Sequence, residues 1–278
     1  MILIADSGST KTDWRVVSEG RVIQTVTTQG INPFHQSVDY IHDVINNELI
    51  TSMNDKQSIS EIVFYGAGCI GDKCGLLKQQ LSDSFPHVNI DVNSDLLAAA
   101  RSLCGSKEGV ACILGTGSNS CLYDGRNITS NVSPMGYILG DEGSGAVLGK
   151  LFVNELYKGN ISGAIREEFE KETGLTLQAI IENVYRKPMA NRFLASLAPF
   201  ISTHIDNPVI ESLVITNFRN FLTRNVLHYN RTDLAVNAVG SIAYHFAEQL
   251  EKAIVEEGMK VGKIYKSPME GLVMYHSL

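Results

Sequence analysis

The chain has 278 residues, of which 44% are apolar, and a formal charge of −7, enough for one large or two modest globular domains with a sizeable core. An acidic balance without any basic run counts against nucleic acid as a main partner. No apolar stretch reaches the roughly 18 residues that span a bilayer, and no basic segment precedes a long apolar run, so neither a membrane partner nor a signal peptide is expected. The cysteines, Cys69, Cys74, Cys104, Cys112 and Cys121, are odd in number and form no C-x-x-C; reduced, mostly buried thiols in a cytoplasmic protein are expected.

Residues 2–5 read as a buried strand that ends at Asp6. A small polar turn of Ser7, Gly8, Ser9 and Thr10 follows, closed by Lys11, and a second strand covers 12–17. A third strand is expected over 21–28, then a break at Gly30–Phe34. Val38, Ile41, Ile45 and Leu49 recur at helical spacing, predicting a helix over 36–50. A strand over 61–65, a turn at Gly66-Ala67-Gly68, a helix over 72–85 stopped by Pro86, a strand over 88–92 and a helix over 95–103 complete the first half. Such alternation implies a mixed sheet with helices on its faces.

The second half repeats the opening. An apolar strand over 110–114 runs into the turn Gly115, Thr116, Gly117, Ser118, Asn119, and a strand over 120–123 follows. Repetition at this scale suggests duplicated halves, with the boundary near residue 106 in the Gly105–Gly109 stretch. A strand near 127–133, a helix over 142–157, a largely helical region over about 162–228, a strand over 234–239, a helix over 241–257, a strand over 261–265 and a final helix over 268–275 are expected.

Both hairpin tips expose backbone N–H groups and hydroxyls, which can cradle phosphate oxygens, with glycine allowing close approach. Asp6, at a strand end, is placed to hold a hydrated Mg²⁺, and Lys11 supplies a compact positive charge. An ordinary hairpin with a polar turn is the alternative for either copy taken alone. Two such hairpins facing each other across a cleft would grip one nucleotide from both sides. Rival phosphate motifs fail. The Gly115-Thr116-Gly117 run does not complete G-x-G-x-x-G, because position 120 is Ser and a strand follows. The run Gly145–Leu151 is one residue short of a P-loop and has Leu where Ser or Thr is required. No histidine spacing matches a zinc site.

Other residues admit two readings from their position. Asp95 opens a helix and can be an N-cap or first-turn acid. Asn32 can be a turn residue before Pro33, Asp141 an N-cap, and Ser241 the cap of the helix that Gly240 precedes.

The motifs DSGSTKTDW (6–14), NSDLLAAA (93–100), LGTGSNS (114–120), GYILGDEGSG (136–145) and AVGSIA (238–243) occur in one order. The set resembles the N-acetylglucosamine kinase family, and the wider ATPase family that contains activators of benzoyl-CoA reductase and 2-hydroxyglutaryl-CoA dehydratase. Both belong to the actin, sugar-kinase and heat-shock chaperone superfamily. The resemblance implies an α/β fold of two ribonuclease H-like, actin-like ATPase domains with a nucleotide cleft between them. They would cover 1–106 and 107–278, the second with a helical insertion at about 162–228. It further implies ATP and Mg²⁺ as cofactors, an amino sugar as small-molecule partner, and a homodimer. By that likeness Asp95 is the catalytic base and Asp6 the metal-side carboxylate. Ser7, Gly8, Ser9, Thr10, Lys11, Gly115, Thr116, Gly117 and Ser118 hold the nucleotide, with Gly240 and Ser241 as a floor beneath adenosine. Asn32, Asn119 and Asp141 hold the sugar, with Phe34 near Asn32. The implied reaction is phosphorylation of N-acetylglucosamine or glucosamine at the 6-hydroxyl. An ATP-driven activator of a radical dehydratase or reductase is the first alternative, and would need cysteine thiolates for a cluster shared between subunits. A sugar- or nucleotide-sensing protein without catalysis is the second.

Overall fold

A computed structural model describes every residue except Ser9 and Leu278; the expected turn contact at Ser9 therefore lies outside the described residues. Two compact units are formed. The first comprises Met1–Lys107 together with Gly125–Asn127 and the stretch from Pro268 onward, and the second comprises Glu108–Asp124 and Ile128–Ser267. The expected single cut near residue 106 thus gives way to a division in which the C-terminal helix and a short turn at 125–127 belong with the first unit.

In the first unit, strands β1 (Ile2–Ser7), β2 (Lys11–Ser18), β3 (Arg21–Gln29), β4 (Glu61–Gly66) and β5 (Asn89–Ser94) form one sheet in the order β3-β2-β1-β4-β5. The β1–β2 and β2–β3 pairs are antiparallel, and β1–β4 and β4–β5 are parallel. Alternation along each strand sorts the side chains to two faces. Leu3, Ala5, Trp14, Ile62 and Phe64 pack against helices α1 (Val38–Asp43) and α2 (Asp72–Ser84), while Ile4, Val63 and Tyr65 face α3 (Asp95–Cys104). The helix expected over 36–50 is α1, capped by Ser37, followed by a π-helical run Val44–Ile50.

The last helix, α13 (Met269–Tyr275), adds Met269 and Leu272 to the α3 face of this sheet. Gly271 lets it approach, since a Cβ there would strike Ser102 Oγ at 2.3 Å. Arg101 Nη1 donates to Tyr65 Oη (2.7 Å), and Tyr65 Oη lies 2.8 Å from His276 Nε2. Burial, with Arg101 adding to it, lowers the His276 pKa to about 4, so the ring is neutral at pH 7. These contacts fix the chain end on the first unit, which charge and periodicity alone did not indicate.

In the second unit, β6 (Glu108–Leu114), β7 (Ser118–Asp124), β8 (Ile128–Ser130), β9 (Ala235–Val239) and β10 (Lys260–Tyr265) form a sheet in the order β10-β9-β6-β7-β8. The pairs β6–β7 and β7–β8 are antiparallel, and β6–β9 and β9–β10 parallel. With β6 standing for β1, this is the topology of the first sheet. Its core joins Val110, Cys112 and Leu114 to α5 (Gly145–Lys158), α10 (Pro208–Arg224) and α12 (Ala247–Glu256). Between α5 and α10 lie four shorter helices, α6 (Gly163–Thr173), α7 (Leu177–Tyr185), α8 (Ala190–Ala195) and α9 (Ala198–Thr203).

Three boundaries differ from expectation. A short helical turn, α4 (Gly136–Leu139), occupies the GYIL stretch. Helix α5 starts at Gly145 rather than near 142, because Ser144 accepts from the Val147 N–H as its N-cap. The helix expected over 241–257 is α11 (Ser241–His245) and α12, separated at Phe246, whose ring is buried in the core. Among the described residues no helix is long and apolar enough to cross a membrane.

Candidate active site

The first unit presents the β1–β2 hairpin tip. Its base is closed by two buried hydroxyls: Ser7 Oγ lies 2.6 Å from Thr12 Oγ1, donates to the Ile31 carbonyl (2.9 Å) and accepts from the Ile31 N–H (2.9 Å). Ser7 therefore departs from its expected role. Its hydroxyl faces inward and ties residues 30–32 to the hairpin, leaving it no lone donor for a phosphate. Gly8 gives its N–H to the Lys11 carbonyl (3.0 Å), and Thr10 accepts from Gly30 (3.1 Å). Gly8, Thr10 and Lys11 are exposed. A Cβ on Gly8 would meet nothing nearer than 3.9 Å, so the fold itself does not require glycine there.

Asp6 and Asp13 are register partners across β1 and β2. Burial pushes the Asp6 pKa up to about 7, with further raising by Asp13 and Asp95 and a smaller lowering by Lys11. Lys11 Nζ sits 2.9 Å from Asp13 Oδ2. Asp95 is the first residue of α3. The cap is Ser94, which accepts from the Leu97 N–H, so the first-turn reading holds and the N-cap reading does not. Asp95 Oδ1 accepts from the Leu96 N–H (2.8 Å), and burial raises its pKa against that bond. A half-buried carboxylate at a helix start is thus electrostatically coupled to a charged hairpin tip.

Asn32 is nearly buried. It accepts from the Phe34 N–H (3.0 Å) through Oδ1, and its own N–H donates to Gln36 Oε1 (2.7 Å). Its Nδ2 has no protein partner among the described residues. Gly68, at φ +78°, packs against this amide; a Cβ would lie 2.1 Å from Asn32 Oδ1. The neighbouring Cys69 thiol feels Asp95 and is pushed up to about 12, chiefly by burial. The Gly66–Cys69 turn therefore adjoins both Asn32 and Asp95. Phe34 is exposed.

The second unit builds its tip differently. Leu114 and Ser118 close the β6–β7 turn, and Gly115 gives its N–H to Gly117 (2.9 Å). The start of α5 docks here: the Gly145 and Ala146 N–H groups donate to the Gly115 (2.8 Å) and Thr116 (3.1 Å) carbonyls. Gly240, at φ +125°, packs against the same turn, where a Cβ would fall 2.2 Å from the Leu114 carbonyl oxygen. Gly240 itself holds the N-cap position of α11; Ser241 is the first helical residue and exposed, so the cap expected at Ser241 is corrected. The glycines of the rejected P-loop lookalike serve packing, Gly149 lying against the Leu194 carbonyl.

Asp141 is not the cap of α5 either, a role Ser144 holds. Its backbone is left-handed at φ +54°. Its carboxylate lies over the turn, with Oδ2 3.0 Å from where a Gly117 Cβ would stand. Burial raises its pKa to about 6, opposed by the Ser118 and Gly136 N–H groups that bond to it. Asn119 Oδ1 accepts from Ser120 N–H (2.9 Å) and Asn131 Nδ2 (2.8 Å), which fixes its amide plane. Cys112 and Cys121 lie inside β6 and β7, wholly buried.

Reading the sequence missed Asp13, Gln36 and Asn217. Buried Asn217 accepts from Gly143 N–H (3.0 Å) and donates to the Ser144 carbonyl (3.3 Å), holding the Gly140–Gly145 run. Only Asp13 left a signal, since period-two alternation puts it on one face of β2 with Lys11. Among the described residues no three His, Cys, Asp or Glu side chains converge as a metal cage. The hard carboxylate oxygens of Asp6, in a tip short of positive charge, fit the manner in which Mg²⁺ binds through one or two carboxylates plus phosphate and water.

No protein-family model and no curated protein matches the chain. Among solved structures, the "putative N-acetylglucosamine kinase" of Porphyromonas gingivalis matches with a TM-score of 0.98 and 52% identity, covering 100% of this chain and 99% of that one. The "putative N-acetylglucosamine kinase" of Chromobacterium violaceum matches at 0.76 and 16% identity over 99% and 98% of the two chains. Component A of the (R)-2-hydroxyglutaryl-CoA dehydratase of Acidaminococcus fermentans matches at 0.50 and 13% over 99% and 95%. These last two likenesses are of fold alone, that of an α/β protein with two actin-like domains. With half its residues identical across its whole length, the chain belongs to the N-acetylglucosamine kinase-like family represented by the Porphyromonas gingivalis protein.

Proposed function

We propose that this protein is an ATP-dependent kinase that transfers the γ-phosphoryl group to the 6-hydroxyl of an amino sugar, N-acetylglucosamine or glucosamine. The observation that carries the reading is Asp95: a half-buried carboxylate at the start of α3, its proton affinity raised, coupled by charge to Asp6 at the hairpin tip. A general base needs a pKa nearer the working pH than an exposed carboxylate has. The name carried by the 52%-identical relative supports the substrate class.

In this mechanism Asp95 accepts the hydroxyl proton as the sugar oxygen forms its bond to the γ-phosphorus. The bond from that phosphorus to the β–γ bridging oxygen breaks, and ADP leaves. Asn32 offers its uncommitted Nδ2 to a sugar hydroxyl, while Asp141 and Asn119 accept or donate to others. Gly8 and Gly115, which the fold itself does not require to be glycine, give phosphate oxygens room to approach the turns, and Lys11 adds a point charge. Mg²⁺ at Asp6 would supply neutralisation of the triphosphate. Most of the acceleration then comes from positioning and charge, as phosphoryl transfer asks little covalent help. The family likeness extends the proposal to a cytoplasmic homodimer.

The test is ADP release with Mg·ATP and a panel of hexoses and amino sugars, followed by NMR of the product. Amino-sugar-dependent ADP release with phosphate on O6 is expected. ADP release that no sugar stimulates overturns the reading.

A further inference from the structure

Asp13 occurs in none of the roles assigned so far, yet both of its carboxylate oxygens are engaged. It stands on β2 opposite Asp6 of β1 and opposite Thr27 of β3. Its two oxygens do different things. Oδ1 accepts from Thr27 Oγ1 (3.3 Å), and Oδ2 holds Lys11 Nζ at 2.9 Å. The carboxylate is thereby oriented by the strand ladder, with its side chain 18% exposed, whereas the lysine it holds is 64% exposed.

A lysine so exposed would ordinarily sample many rotamers and lose that freedom on being fixed. Here its ammonium is held by a carboxylate two residues along the same strand. An ammonium has three donors. One N–H suffices for Asp13, and two remain for phosphate oxygens. We infer that Asp13 is a positioning residue that pre-orders Lys11 for the nucleotide phosphates. The inference rests on the kinase reading above.

Simple electrostatics makes the opposite forecast. Asp6 feels the charges of Asp13, Asp95 and Lys11, one cation among three carboxylates, so neutralising Asp13 should make the tip more welcoming to a polyphosphate. The sign of the effect therefore decides. Asn at position 13 keeps the shape and the acceptor for Thr27 but loses the charge that holds Lys11.

Mg·ATP binding is measured by calorimetry on wild-type protein, Asp13→Asn, Lys11→Met and the double variant, with kcat at saturating ATP alongside. Asp13→Asn is expected to weaken Mg·ATP about tenfold, the scale of a coupled contact pair. Lys11→Met should lose at least as much, and the double variant no more than Lys11→Met alone. The loss should fall mainly on KM for ATP, with a smaller fall in kcat, because Lys11 acts on the phosphates and not on the sugar. Thr27→Val, which frees Oδ1 but keeps every charge, should weaken binding in the same direction by less. It provides the readout if Asp13→Asn fails to fold. Unchanged or tighter binding in Asp13→Asn, or losses that multiply in the double variant, overturn the positioning role while leaving the kinase reading intact. Wild-type protein that binds no Mg·ATP removes the kinase reading itself.

Discussion

The two hairpin tips share a strand topology and almost nothing else. The β1–β2 tip is a charged device: Asp6, Lys11 and Asp13 line it, and Ser7 and Thr12 hold its base with buried hydroxyls. The β6–β7 tip carries no charge of its own. Its carbonyls are occupied by the start of α5, Gly240 is pressed against it, and a single carboxylate, Asp141, is brought over it from elsewhere in the chain. One strand topology thus carries two different chemistries. One tip offers ions; the other offers a rigid frame that three separate segments support. The same mutation should therefore break the two halves in different ways.

The largest expected effect is chemical and lies in the first unit. Asp95→Asn keeps the side chain's size, and Ser94 still caps α3, so folding should survive. The amide cannot accept a hydroxyl proton. A kcat loss of about 100- to 10,000-fold is expected, with Mg·ATP affinity nearly unchanged. The paired change in the second unit, Asp141→Asn, should act mainly on KM for the sugar, since that carboxylate is proposed to bind rather than to take a proton. Near-normal turnover in Asp95→Asn would remove it from the base role; equal kcat losses in both variants would erase the proposed difference between the units.

The next effect is structural and lies in the second unit. Gly240→Ala places a Cβ 2.2 Å from the Leu114 carbonyl oxygen at a φ of +125°, so both the contact and the backbone oppose it. A destabilisation of about 3 kcal/mol is expected, read as a lower denaturant midpoint. Gly8→Ala in the first unit meets nothing nearer than 3.9 Å and should change stability by less than about 0.5 kcal/mol, yet weaken Mg·ATP by crowding its phosphates. If Gly8→Ala costs as much stability as Gly240→Ala, the two tips are frames of the same kind and the contrast fails.

How far the sequence disclosed this contrast depends on the range of each interaction. Strand alternation, helical spacing and the two Gly/Ser/Thr turns are local, so the order of strands and the hairpin tips were legible, as were Asp6, Lys11 and Asp95 as candidates. Contacts between distant segments were not. Nothing local shows that Ser7 spends its hydroxyl on Ile31, that Gly240 is needed because Leu114 lies beneath it, or that α13 returns to the first unit through Met269, Leu272 and His276. Capping was misplaced by short distances for a similar reason. Asp95, Asp141 and Ser241 all suit a cap by residue type, but Ser94, Ser144 and Gly240 hold the backbone angles that the position requires.

The smallest effect is a pH dependence, and it too separates the units. Asp6 titrates at about 7 in the folded protein and Asp141 at about 6, each raised first of all by burial. In the unfolded chain both titrate near 4. Between those values the folded protein holds protons that the unfolded chain has released, so stability must fall as pH rises. The Asp6 contribution is lost from about pH 4 to 7 and the Asp141 contribution from about pH 4 to 6. For either group the loss is at most about 1.4 kcal/mol for each pH unit climbed within its window, and less where water reaches the carboxylate. Denaturant midpoints should therefore decline from pH 5 to pH 8 in the absence of nucleotide. Asp6→Asn should reduce the decline most between pH 6 and 7, where Asp141 is already more than half ionised; Asp141→Asn should reduce it mainly below pH 6. A divalent cation reverses the sign at the first tip alone, because it favours ionised Asp6. Mg·ADP affinity should rise with pH up to about 7 and binding should release a proton, in wild-type protein but not in Asp6→Asn. Proton release that persists in Asp6→Asn would assign the titration to another group and leave the first tip without its distinguishing ion.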